Sequence, residues 1–247
     1  MHAVNRANPA PGSTAMVLGA GTVGLLTAAM ARQSGCTQVT ITDVDAGRVQ
    51  YALSKGFATH GYVVPRPLHT SSSSSSMYNG SGASTPADSG ILTPASMFSF
   101  SGQLDIAKTL AIDLLALTKP PPEIASDDED EGVDITFECT GKEVCMHIAL
   151  YATRPGGKVI MVGMGTPIQT LPLSVAHLKE VDILGIFRYA NTYAKGIRML
   201  CSNALPSLDD MVTHRFKGLG NAKGAFELAS RTVDDDGNLV LKVVIEA

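Results

Sequence analysis

What the 247-residue chain lacks narrows its chemistry. It has four cysteines, Cys36, Cys139, Cys145 and Cys201, and no two share the C-x-x-C spacing of a zinc knuckle or a dithiol redox site. Their scatter through apolar segments reads as reduced, buried thiols and predicts a cytoplasmic protein. No excess of basic charge is present, the formal net charge being -4, so nucleic acid and anionic membranes are not expected partners. No run approaches the ~18 apolar residues of a membrane span. The opening MHAVNRANPAPG has no apolar stretch of a secretory signal. Tryptophan is absent, but the chain is 45% hydrophobic and 17% charged, which is a globular composition with room for a core.

Familiar catalytic patterns are missing as well. The six histidines form no H-x-x-x-H or H-E pair, no metal-ligating set is visible, and there is no G-x-S-x-G elbow. Tyr51-Ala-Leu-Ser-Lys55 has the Y-x-x-x-K spacing of short-chain dehydrogenases, but it falls on the helix after the second strand and reads as surface coincidence.

What is there is an α/β alternation. AMVLGA, QVTITDV and GYVV read as strands, separated by the helical stretches TVGLLTAAMARQSG and AGRVQYALSKG. This order over 15–64 predicts a Rossmann-type, doubly wound parallel sheet with helices on both faces. The pattern breaks at 65–132. Pro65 to Ser101 contains HTSSSSSSMYNGSGASTPADSG, and its composition predicts disorder. A helix is expected at 102–118, followed by the solvated linker PPPEIASDDEDEG. Both linkers read as tolerated surface insertions, because loop-closure cost grows slowly with length. The competing reading is a phosphorylated loop, with Thr85, Thr93 and Ser126 as sites. Alternation resumes at Val133 and continues through VDITFECTG, GGKVIMVGMG and VDILGIFRY, then a helix at TYAKGIRMLCSN. The tail reads strand, helix, strand.

Gly19-Ala-Gly21-Thr22-Val23-Gly24 is a G-x-G-x-x-G motif placed between a strand and a helix. Gly19 would allow the tight turn, Gly21 a close approach by a pyrophosphate, and Gly24 close helix–strand packing. Asp43 ends the second strand 19 residues after Gly24, near the ~20 expected for an acid on the adenosine ribose. A carboxylate there repels a 2′-phosphate, so NAD is the expected cofactor. Arg48, one turn into the next helix, is a candidate for the adenine ribose or simply a solvated helix residue. An S-adenosylmethionine site is the rival for a glycine loop with a strand-end acid, although its glycine spacing usually differs. Later strand ends offer Cys139-Thr140-Gly141 and Gly163-Met164-Gly165. These read equally as a path for a nicotinamide ring and as plain turn chemistry.

VLGAGTVGLL, ITDVDAGRV, DITFECTG, YATRPGGKVIMVGMG, VDILGIFRYANTY and MVTHRF together resemble the C-terminal part of the medium-chain, zinc-type dehydrogenases, most specifically the polyol branch. GIFRYANTY is the most specific run. The resemblance implies an NAD-dependent enzyme acting on a small-molecule polyol. It places Gly163 and Phe187–Arg188 beside the nicotinamide, with Arg188 and Tyr189 toward the active-site side. It also implies a zinc domain of ~150 residues, whose ligands are not expected in this chain. On this reading 1–14 is the end of an interdomain helix, 133–204 the second half of the cofactor domain, and 205–247 a segment returning to the catalytic domain. The edge strand VDILGIF is a candidate for pairing with a second copy. Two functions stay open: the cofactor portion of a zinc polyol dehydrogenase, and an inactive NAD-binding or interaction module.

Overall fold

In a computed structural model, residues 1–65, 94–118, 132–165 and 167–246 are described, with side chains omitted at 94–101. The serine-rich run, the acidic linker, Thr85, Thr93 and Ser126 lie outside the described residues. The chain opens with α1 (His2–Ala7), then β1 (Thr14–Leu18), α2 (Thr22–Gln33), β2 (Gln38–Asp43), α3 (Ala46–Ser54) and β3 (His60–Val63). The helix α4 (Pro94–Ala116) crosses to β4 (Val133–Glu138). There follow α5 (Glu143–Ala152), β5 (Thr153–Met161), α6 (Leu173–Leu178), β6 (Asp182–Gly185) and α7 (Tyr193–Cys201). The tail contributes β7 (Val212–Lys217), α8 (Ala222–Ala229) and β8 (Lys242–Glu246).

Six strands form one parallel sheet in the order β3-β2-β1-β4-β5-β6. The order reverses between β1 and β4, which makes that point the crevice for a ligand at the carboxyl ends of the strands. The centre of the sheet is buried on both faces, and β1 shows why an unbroken apolar run is needed there. Ala15 and Val17 face one core with Leu25, Ala28, Val39 and Ile41. Met16 and Leu18 face the other, with Leu114, Met146 and Leu150. Alternate side chains point to opposite faces, so two helical layers are required.

The expected helix at 102–118 begins earlier, at Pro94, and ends at Ala116. It belongs to the core as the crossover between β3 and β4. Ala107, Ala111 and Leu114 are buried at four- and three-residue spacing, one face of a helix. The small alanines let α4 come close to α5. On the other face of the sheet α1 buries Ala3, Val4 and Ala7 into the first core.

The tail does not join this sheet. β7 and β8 pair in parallel across α8 as a separate two-stranded sheet. It is anchored near α2 and α3, where Met211, Leu205, Leu208 and Leu241 pack on the first core.

Candidate functional site

The glycine motif follows β1, at the reversal of strand order. Its three glycines meet different demands. A Cβ on Gly24 would collide with the Gly19 carbonyl, lying 2.9 Å from its carbon and 3.5 Å from Val17 Cγ1. α2 therefore lies against the turn as only glycine permits. A Cβ on Gly21 would have nothing within 4 Å, so the space in front of the helix start is open. Gly21 is the N-cap of α2 and provides no side-chain cap. The first amides of a helix lack intrahelical acceptors, and here they face that open space beside the exposed Val23.

Asp43 ends β2 beside this loop. One carboxylate oxygen accepts the Ala20 amide at 2.8 Å and the other the Asp45 amide at 3.0 Å. The acid thus ties the glycine turn to the end of β2 and is held in one orientation. Asp45 in turn caps α3, accepting the Arg48 amide at 3.1 Å.

Arg48 and Thr22 reach elsewhere with their side chains. The Arg48 guanidinium donates to the Val240 carbonyl at 3.1 Å, and the Thr22 hydroxyl to the Leu241 carbonyl at 2.9 Å. Both fasten the C-terminal segment beside the glycine loop. No local pattern announces these pairs, since the partners are 192 and 219 residues apart.

Across the switch point, the ends of β4 and β5 interlock. Glu138, the last residue of β4, is 1% exposed. Its carboxylate accepts the Thr140 amide at 2.7 Å, the Gly141 amide at 3.0 Å and the Thr140 hydroxyl. Its carbonyl accepts the Val162 and Gly163 amides of the β5 turn, each at 2.8 Å. A Cβ on Gly163 would strike Gly141 and lie 2.7 Å from Glu138 Oε2. A Cβ on Gly165 would strike the Gly141 carbonyl. These glycines are therefore required by the packing of one turn on another. Gly141 lies in the strand-end run that the sequence offers, whereas nothing in that run points to Glu138. The available signal was an acid at the end of the otherwise apolar run DITFE.

Burial raises the Cys139 thiol to about 12, and the neighbouring Glu138 charge adds to the rise. A thiol so raised stays protonated at neutral pH and is a poor nucleophile or metal ligand. Burial likewise raises Cys36 to about 11. His147 is fully buried on α5 with Nε2 2.7 Å from the Thr170 carbonyl, a structural placement.

Phe187, Arg188 and Tyr189 follow β6 at the same carboxyl edge of the sheet. Arg188 adopts a left-handed backbone with φ 53°, and its guanidinium lies 5.1 Å from the centre of the Phe187 ring. Tyr189 meets Tyr193 edge to face at 5.0 Å. Phe187 and Tyr189 are exposed. The topology thus brings the candidates on the β1, β4, β5 and β6 ends to one edge. Among the described residues no three His, Cys, Asp or Glu side chains come together to hold a metal ion. No described helix is long and apolar enough to cross a membrane.

A family model described as zinc-binding dehydrogenase matches residues 98–202. Sorbitol dehydrogenase from Gallus gallus is 31% identical over 231 residues, which are 94% of this chain and 50% of that protein. The human sorbitol dehydrogenase is 32% identical over 232 residues, 92% of this chain and 49% of its own length. The chain matches the cofactor-domain part of the zinc-type medium-chain dehydrogenases, polyol branch. It spans about half the length of the curated relatives it matches. A putative zinc-binding dehydrogenase from Sinorhizobium meliloti, solved with NADP, superimposes with TM-score 0.65 at 20% identity, covering 100% of this chain and 56% of that one. An oxidoreductase/dehydrogenase of unknown specificity from Escherichia coli gives TM-score 0.64 at 24% identity, covering 99% and 54%. These two likenesses establish the fold that the chain shares with them.

Proposed function

We propose that this chain binds NAD(H) and is the cofactor portion of a zinc-dependent polyol dehydrogenase, which moves a hydride between a secondary alcohol and NAD. The observation that carries the reading is the open, uncapped start of α2 at the switch point, with Asp43 fixed beside it. The free amides of Gly21, Thr22, Val23 and Gly24 receive the pyrophosphate, aided by the helix dipole. Asp43 keeps acceptor capacity for the adenosine ribose hydroxyls, and its charge disfavours a 2′-phosphate. Arg48 steadies that side through the C-terminal segment. Gly19 forms the turn. Cys139, Thr140, Gly163, Gly165, Phe187 and Arg188 border the nicotinamide half, and Tyr189 faces the substrate side. NAD, when bound, supplies the hydride acceptor; the protein orients it.

The described residues do not form a zinc ligand set, so activation of the alcohol is not assigned to them. We read 15–64 and 133–204 as the two halves of the cofactor domain, 1–14 as a lead-in, and 205–247 as a segment suited to contact a catalytic domain. The edge strand β6 is the candidate for pairing with a second copy. Titration of the folded chain with NADH, followed by nicotinamide fluorescence, tests the proposal; a folded preparation that leaves the fluorescence unchanged refutes it. An antibody-detected mass in cell extract well above 25.8 kDa supports the two-domain enzyme, whereas a band at that mass favours a cofactor-binding module that acts without one.

A further inference from the structure

We propose that Glu138 is a positioning residue that sets the nicotinamide half of the dinucleotide site; the inference rests on the NAD(H) reading above. Asp43 on β2 marks the adenosine side. β4 and β5 lie beyond the switch point and so carry the other half. Glu138 is the group that joins the ends of those two strands. Its side chain accepts two amides and a hydroxyl of the β4 turn, at Thr140 and Gly141. Its main-chain carbonyl accepts two amides of the β5 turn.

The residues around it in the sheet, Phe137, Val159 and Ile160, are fully buried and apolar. An acid among them is costly unless each of its acceptors is matched. The Thr140 amide, the Thr140 hydroxyl and the Gly141 amide all donate to its carboxyl oxygens. The contact is also closed from the β5 side, because Gly163 leaves no room for a Cβ against Oε2. Thr140, Gly141, Gly163 and Gly165 therefore move as one body, with Glu138 as its fastening. The adenine end, built on Asp43 and the start of α2, does not depend on this carboxylate for a hydrogen bond.

The separation can be measured with two ligands, NADH and ADP. Glu138→Gln keeps the shape but turns one acceptor into a donor facing the Gly141 amide. The full chain is titrated with each ligand by calorimetry, beside a thermal melt. The expected result is NADH binding weakened about tenfold, with ADP affinity within twofold of the parent. Gly163→Ala, which places a methyl against the same carboxylate, is expected to show the same split. Unchanged NADH affinity in a folded Glu138→Gln chain overturns the proposal, and so does an equal loss of NADH and ADP. A parent chain that binds neither ligand removes the NAD(H) reading and this inference with it. If Glu138→Gln does not fold, hydrogen exchange in the parent decides. Saturating NADH, but not ADP, is expected to slow exchange at Thr140 and Gly141. No difference between the two ligands overturns the proposal.

Discussion

The glycine loop separates stability from binding, and two alanine substitutions expose the separation. In Gly24→Ala the new methyl enters the Gly19 carbonyl and sits 2.9 Å from its carbon. Carbon atoms make favourable contact at about 3.5–4.0 Å, so α2 has to move away from β1 by the better part of an ångström. That movement opens the packing of Leu25 and Ala28, both fully buried against the sheet. Overpacking of this kind costs about 1–3 kcal/mol. For a domain of this size, that lowers Tm by about 2–4 °C per kcal/mol. Gly24→Ala is thus expected to melt about 2–12 °C below the parent. In Gly21→Ala the methyl meets nothing within 4 Å, and the backbone, at φ -73° and ψ -179°, is open to any residue. Its Tm is expected to stay within about 2 °C of the parent, since surface changes are usually within ±0.5 kcal/mol. The methyl stands where the pyrophosphate would approach, so NADH affinity is expected to fall at least about tenfold, the loss of one charge-assisted hydrogen bond or more. Differential scanning fluorimetry and NADH titration on the three proteins provide the check. Equal melting temperatures for Gly24→Ala and the parent, or parent-like NADH binding by Gly21→Ala, would refute the reasoning.

Asp43→Ser removes the charge that faces a 2′-phosphate; the ratio of NADPH to NADH affinity is expected to rise about tenfold or more, measured by paired titrations. The cap on Ala20 weakens with it, by about 1 kcal/mol. Leu114→Ala, in the buried face of α4, should cost about 2–4 kcal/mol. Ile112→Ala, exposed two residues away, should change stability by less than about 0.5 kcal/mol; urea melts separate the two, and equal effects would contradict the crossover role of α4. Asp134 feels burial, which raises its carboxyl. Two hydrogen bonds from Thr14 and the ion pair with Arg154 outweigh that and hold it below the usual carboxylate range. Its contribution is therefore complete above about pH 4 and is lost as pH falls through the lowered value. Asp134→Asn is expected to flatten the acid limb of a pH–stability profile, and an unchanged limb would remove Asp134 as a cause. Asp234 titrates at about 2, held down chiefly by the Asn238 side chain and further by His214 and two amides. Its part in anchoring the turn before β8 should likewise fade only between about pH 4 and 2, readable from the His214 ring resonances.

Much of this was legible along the chain. Strand–glycine–helix order, the acid at the end of β2 and the β-branched runs are local signals, each carried by residues a few positions apart. They determine element type through backbone freedom and period, and parallel strands joined by helices leave few topologies open. Even Gly24 could be assigned to close packing, because the motif spacing sets the turn geometry.

Other features depended on contacts across the chain. α4 looked like a helix inside an insertion; its two alanines and Leu114 acquire meaning only against α5. Gly163 and Gly165 read equally as a ligand path and as turn chemistry, and the fold adds that Gly141 packs against both. Thr22 and Arg48 sit in the right motif but turn their side chains to carbonyls about two hundred residues away. Glu138 was one acid in an apolar strand until the fold surrounded it with donors. The sheet, the loop and the sign of charge beside it follow from local periodicity and covalent spacing, and so could be read along the chain. Which polar groups are already engaged came from the fold, because hydrogen bonding is settled by what folding brings within about 3 Å.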